Sequence, residues 1–365
     1  MVLNKLFDWE QYVNNYSDLS SLTSRDAAYK HYLRFGIHEN RTDAIYYHSV
    51  FYKNENIIVI QPIYKTFDAY FKLFDQTGRE IKLTGQIIKD QWEPIIISFF
   101  KIGELSNPIE LFFKFGPNKM KVNLEIHVPQ EKKFLGLTTL FKDDYSILPF
   151  FYNYYKKQGV DHFYLYYNGK ITNAIKEICN KSDITLIEWN KIYHSKNAYI
   201  SPHIAQTGHI HDAIYRYGKD DCEYLIVCDF DEYLFVEGTT LKEYIQENPE
   251  TDVFAFTQIL AKSEKRPENM ETFPDTIFIS PTKFEYFTYE QTQIEGNKPS
   301  SKCIHKMETL KTASIHYHDL QDAVVDSTNK MYHFFNWSQP DRKKDTQFFL
   351  IDSFTTSDTK VPSKV

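Results

Sequence analysis

Glycine is scarce in this chain, 12 residues in 365, and none of it forms a glycine-rich loop of the kind that cradles phosphate. Only four cysteines occur, Cys179, Cys222, Cys228 and Cys303, with no CxxC pair and no zinc spacing. They read as buried thiols in a reducing compartment. No apolar run approaches the ~20 residues that span a bilayer, so any membrane contact is expected to be peripheral. The opening segment, Met1 to Trp9, lacks the apolar core of a signal peptide, and a cytoplasmic protein is expected. Internal repeats are absent. The net charge is −7, with no basic stripe and no aromatic-basic RNA signature, which argues against a nucleic-acid partner. Any phosphate this chain binds must be neutralised locally, by a metal or by individual Lys, Arg and His side chains.

What is present is a globular composition, 42% apolar and 25% charged, over a length that suits two or three domains. Residues 1–45 read as a small helical module. Asp8 precedes a three-and-four spaced run through Trp9, Tyr12, Val13, Tyr16 and Leu19. Ser24 is a good N-cap for a helix from Arg25 to Phe35 that places Ala28, Tyr32 and Phe35 on one face, with Gly36 ending it. Residues 46–130 show short apolar runs separated by turn signals, among them Ile57–Ile60, Ile95–Phe100, Ile109–Phe115 and Val122–Val128, a pattern that predicts a β-sandwich. Residues 131–350 alternate strand and helix, which predicts an α/β domain with a mostly parallel sheet. Residues 351–365 read as a mobile tail.

Within that domain the run Tyr224-Leu-Ile-Val-Cys228 ends on Asp229-Phe230-Asp231-Glu232. Strand residues two apart share a face, so Asp229 and Asp231 are expected to converge as oxygen ligands for Mn²⁺ or Mg²⁺ and a diphosphate. The bland alternative is one Asp capping a turn and the other in solvent. A second acidic cluster, Lys142-Asp143-Asp144, comes after another strand. Ligands bind open α/β sheets at the carboxyl ends of strands, so two such clusters at one sheet edge reinforce each other.

The string Thr138-Thr-Leu-Phe141-Lys142-Asp143-Asp144, then Gly159-Val160-Asp161-His162-Phe163 and Tyr166-Tyr167-Asn168, resembles the opening of the family 92 glycosyltransferases, which have the GT-A fold. The likeness continues through Gln206 and His211, Asp229-Phe-Asp231-Glu232-Tyr233-Leu234, Lys302-Cys-Ile304, Ala313-Ser-Ile315-His316 and His333-Phe334. The chain departs from the family pattern at Asp143, Asp144 and Tyr167, where Asn, Glu and Asp are expected. The N-terminal string Phe7-Asp-Trp9 through Arg41 resembles a short helical module that accompanies some polysaccharide-building enzymes.

The resemblance implies a GT-A-like, Rossmann-type catalytic domain and a metal-dependent transfer of a sugar from a nucleotide sugar to a glycan, glycolipid or glycoprotein. The donor it suggests is UDP-galactose, with inversion. Asp231 and Asp229 would hold the metal diphosphate, with His316 or His318 as a further metal or phosphate ligand. Lys142 and Lys302 are candidates for phosphate or base contact, and Asp143 or Asp144 for the nucleotide. Inversion needs a base on the acceptor hydroxyl. Glu264, Asp275, Glu285, Glu290 and Glu295 come after the acidic motif, and Glu264 is favoured, with Asp275 next. His333 and Trp337 could complete the site. Two other readings remain: a glycan-binding protein with a degenerate transferase domain, and a metal phosphohydrolase.

Overall fold

The structure, a computed structural model, describes residues 7–42, 46–63, 72–89, 94–105, 109–115, 118–142, 145–194, 204–261, 287–288, 301–315, 324–334 and 349–350. The tail beyond 350 lies outside them. The chain is a mixed α/β protein of two compact units, one of residues 1–130 with 189–217, the other of residues 131–188 with 218–365.

The first unit opens with α1 (Trp9–Asn15), capped by the Asp8 carboxylate accepting from Gln11 N, and α2 (Arg25–His31), capped by Ser24 accepting from Ala27 N. Both caps satisfy amides that have no partner inside the helix. The helix after His31 does not keep its period. A π-helical turn spans Tyr32–Gly36, and its extra residue rotates the side chains beyond it away from the expected face. Ala28 and Tyr32 are buried as expected, but Phe35 is turned out, 42% exposed. Gly36 is not a left-handed terminator; a side chain there would collide with Tyr12 Oη and Tyr32 Cδ2.

Two sheets make up the rest of this unit's strands. The larger contains β1 (Ser49–Lys53), β2 (Asn56–Pro62), β4 (Leu83–Lys89), β5 (Ile95–Lys101) and β8 (Glu125–Ile126) in the order β4-β5-β2-β1-β8. The smaller holds β3 (Leu73–Asp75), β6 (Leu111–Phe115) and β7 (Asn118–Val122) in the order β3-β6-β7. Asn118–Val122 is a strand, and of the run expected over Val122–Val128 only Val122 and Glu125–Ile126 lie in strands. The segment 189–217 contributes helix α5 (Ile204–Asp212), which runs on into a π-helical turn, Ala213–Gly218. Within this unit Lys53 Nζ donates to the carbonyls of Tyr215 and Arg216, and Arg216 pairs with the buried Asp212 and with Glu125.

The second unit is built on an eight-stranded sheet. β9 (Lys133–Phe141), β10 (His162–Tyr167), β11 (Ile184–Glu188) and β12 (Cys222–Val227) form its parallel half, in the order β11-β10-β9-β12. Strands buried on both faces read as continuous apolar runs, and β10 is buried along its whole length. Between β9 and β10 lies α3 (Leu148–Lys157), with Pro149 in its first turn and Gly159, at φ +89°, reversing the chain after it. Helix α4 (Asn173–Ile178) connects β10 to β11. The other half continues from β12 through β16 (Ser301–Lys306), β14 (Val253–Ala261) and β17 (Val324–Phe334) to β13 (Glu232–Phe235).

That order forces a curl. In a flat sheet four strand steps of ~4.8 Å would put β13 about 19 Å from β12. Only five peptide steps join Val227 to Glu232, about 17 Å even if fully stretched. The link is not stretched, because Glu232 N donates to Asp229 O at 3.1 Å. The sheet therefore bends round on itself and returns β13 toward the end of β12.

Candidate active site

The acidic motif occupies this link. Asp229 and Asp231 are not on a strand: pairing ends at Val227, and Phe230 and Asp231 form a turn before β13. Their placement comes from the turn and not from strand alternation. Phe230 faces inward, stacked on Phe141 with ring centroids 5.0 Å apart and close to Phe151, which holds the apex of the turn against the core.

Glu232, which begins β13, is wholly buried and works as the floor of the turn. Its Oε2 accepts Asp229 N at 2.7 Å and lies 3.3 Å from Lys302 Nζ. Its Oε1 has no hydrogen-bond partner among the described residues and lies 3.9 Å from His333 Nδ1. Lys302, on β16, also donates to Asp229 Oδ2 at 2.9 Å. His333, opposite Glu232 on β17, places Nε2 3.4 Å from Asp231 Oδ2. The Gln258 amide nitrogen sits 2.5 Å from His333 Nδ1; with Nδ1 accepting there, the ring proton belongs on Nε2, facing Asp231. Phe334 N donates to Asp231 O.

Burial pushes the Glu232 carboxyl up to about 7; Lys302 pulls it back and Asp229 raises it further. Burial pulls Lys302 down, but Asp229 and Glu232 outweigh it and hold the ammonium well above the usual lysine range. Burial likewise lowers His333, and the charge of Asp231 reverses the effect, leaving it raised. Each carboxylate of the turn thus faces a buried cation or proton donor.

Two tyrosines of α3 hold the frame from below. Tyr155 Oη donates to Glu232 O at 2.9 Å, accepts from Leu234 N at 3.1 Å and lies 3.5 Å from Cys228 Sγ. Tyr154 Oη donates to Leu234 O. In the sequence, neither Tyr155 nor a role for Glu232 beyond its place in the motif is singled out. The available signal was a carboxylate next to the motif in an otherwise apolar strand.

Of the residues singled out in the sequence, the structure brings together Asp229, Asp231, Lys302 and His333. Lys142 comes just after β9 and is exposed. Asp143, Asp144, Glu264, Asp275, Glu285, Glu290, Glu295, His316, His318 and Trp337 lie outside the described residues. Gln206 and His211 lie on α5 in the first unit. Among the described residues no group of three or more His, Cys, Asp or Glu is arranged to hold a metal, and no helix is long and apolar enough to cross a membrane.

The glycosyltransferase family 92 model matches residues 137–361, more than half of the 365-residue chain. The chain belongs to glycosyltransferase family 92. It is therefore a glycosyltransferase, an activity that implies a sugar donor and a glycan acceptor. The matched region contains the whole acidic turn with Lys302 and His333, as well as β10, β12 and β17. No curated protein matches the chain. Among solved structures, an amylomaltase from Corynebacterium glutamicum aligns at 16% identity over 40% of this chain, which spans 24% of that protein; at a TM-score of 0.15 the likeness carries no argument.

Proposed function

We propose that this family member transfers a sugar, galactose from UDP-galactose in the first instance, to a glycan acceptor with inversion and with the help of Mn²⁺ or Mg²⁺. The observation that carries the reading is the Asp229–Asp231 turn at the carboxyl end of a parallel-sheet strand, clamped by Lys302 and His333. Hard divalent cations take oxygen donors. Two carboxylates, of which the Asp229 side chain is 28% exposed, fit such an ion while leaving positions for diphosphate oxygens. A bound ion would offset the charge that grows on the departing diphosphate.

The protein's own residues set the geometry. Glu232 and Lys302 hold Asp229 by its amide and its carboxylate, and His333 faces Asp231. His316 or His318 would add a ligand, Lys142 with Asp143 or Asp144 would meet the nucleotide, and Glu264 or Asp275 would take the acceptor proton. Residues 131–350 are read as a GT-A-like catalytic domain, after the helical module (1–45) and a β-sandwich (46–130). Four free, buried cysteines suit a reducing compartment, and we place the enzyme in the cytoplasm.

Incubation with a panel of UDP-, GDP- and dTDP-sugars, with Mn²⁺ or with EDTA, tests this. Metal-dependent release of one nucleoside diphosphate, lost in Asp231→Ala, is expected. Binding and turnover of none of them would overturn the reading and favour a glycan-binding protein with a degenerate site.

A further inference from the structure

We propose that Lys302 is a positioning residue that holds the acidic turn from inside by neutralising Glu232, and not a contact for the donor phosphates. The inference rests on the reading of this turn as the transferase site and assigns a role to one residue within it.

The geometry is one-sided. The Lys302 side chain is 2% exposed and Glu232 is fully buried, whereas the Asp229 side chain is 28% exposed. A ligand arriving from solvent meets Asp229 first. The described contacts of Lys302 Nζ are to Asp229 Oδ2 and Glu232 Oε2, at 2.9 and 3.3 Å. To reach a phosphate it would have to abandon a buried carboxylate. That cost is severe, because a buried charge stripped of its partner is far less stable than one that never had to be buried. Glu232 in turn fixes the turn through the backbone, accepting Asp229 N at 2.7 Å and donating its own N–H to Asp229 O at 3.1 Å. Lys302 therefore acts on Asp229 twice: directly, and through the carboxylate that shapes the turn.

The two roles make opposite predictions for a paired substitution. A phosphate contact is lost whenever the ammonium is lost. A counter-charge for Glu232 becomes dispensable once Glu232 is made neutral, and Gln at 232 keeps a side-chain oxygen for Asp229 N. Asp229, partly in water, tolerates the loss of its partner far better than Glu232 does.

The experiment compares wild type, Lys302→Met, Glu232→Gln and the double variant in the full chain, by thermal unfolding and by calorimetric titration of UDP in the presence of Mn²⁺. We expect Lys302→Met to lower the unfolding midpoint by on the order of 10 °C. The double variant should recover most of that loss and bind UDP within about fivefold of wild type. Three results would overturn the proposal: additive destabilisation in the double variant, a double variant as poorly folded as Lys302→Met, or a double variant that folds like wild type yet binds UDP at least tenfold more weakly. Wild-type protein that binds no UDP would refute UDP as the donor nucleotide instead, and the unfolding cycle would still decide whether Lys302 and Glu232 are coupled.

Discussion

Lys302 Nζ lies 3.3 Å from Glu232 Oε2 although their strands, β16 and β13, are separated in the sheet by β14 and β17. Three strand steps in a flat sheet would place those strands about 14 Å apart. The contact exists because the sheet curls, and the curl is enforced by the short acidic link between β12 and β13. Fold and site are one constraint here: the link that carries the proposed metal-binding carboxylates also closes the sheet.

Tyr155 is the brace for this curl. Tyr155→Phe removes the donor to Glu232 O and the acceptor for Leu234 N in a fully buried place. Urea unfolding should show a loss of about 1–3 kcal/mol, with a parallel loss of turnover. Unchanged stability would mean that the two bonds do not hold β13.

His333 should matter through the metal. Partners that orient metal-binding carboxylates typically change affinity by about 10–100-fold when removed. His333→Gln, which loses the ring facing Asp231, is expected to raise the Mn²⁺ concentration for half-maximal donor turnover by that factor. A titration identical to wild type would remove His333 from the site.

Asp8 links pH to stability in the first unit. Its carboxyl is buried, and burial raises it from the ordinary 3.8 to about 6 despite the hydrogen bond from Gln11 N. Between those values the folded chain keeps a proton that the unfolded chain releases. Its contribution therefore declines as pH rises from about 4 to 6 and stays low above that. The gap corresponds to about 3 kcal/mol. Asp8→Asn keeps the capping oxygen and loses the titration, so its stability relative to wild type should rise by that amount between pH 4 and 7. A flat difference across that range would refute the burial argument.

Residues 189–217 belong to the first unit, so residues 1–130 should not be removable. A chain starting at residue 131 lacks Lys53, which caps the end of the α5 helix, and Glu125, which pairs Arg216. It also removes β2, against which α5 packs, and His48, which lies against Gly208. We expect it to be insoluble or to lack a cooperative melt by circular dichroism. A cooperative melt matching the full chain would show that the excursion folds without its partners.

Much of the parallel half was legible in the sequence because its signals are local. β9 to β12 are short, mostly apolar runs, Gly159 closes α3, and Asp8 and Ser24 cap their helices. The features that escaped reading depend on something the local pattern does not carry. The β1–β2 hairpin turns on Asn54 and Glu55, both at positive φ, and Glu is a poor advertisement for a turn usually made with Asn-Gly. The π-helical turn at Tyr32 breaks the period that would have buried Phe35. In the site, the motif was visible and the resemblance named Lys302 and His333 as candidates, but both come from strands far along the chain. Their burial beside Glu232 arises from strand order, which no spacing encodes.

The distance along the chain between these partners has a consequence for how the enzyme is made. A ribosome extrudes Asp229, Asp231 and Glu232 about seventy residues before Lys302 and about a hundred before His333. Until β16 and β17 arrive, Lys302 and His333 cannot meet these three acidic side chains, and β12 lacks its β16 partner. The eight-stranded sheet can be completed only once residue 334 has emerged from the exit tunnel.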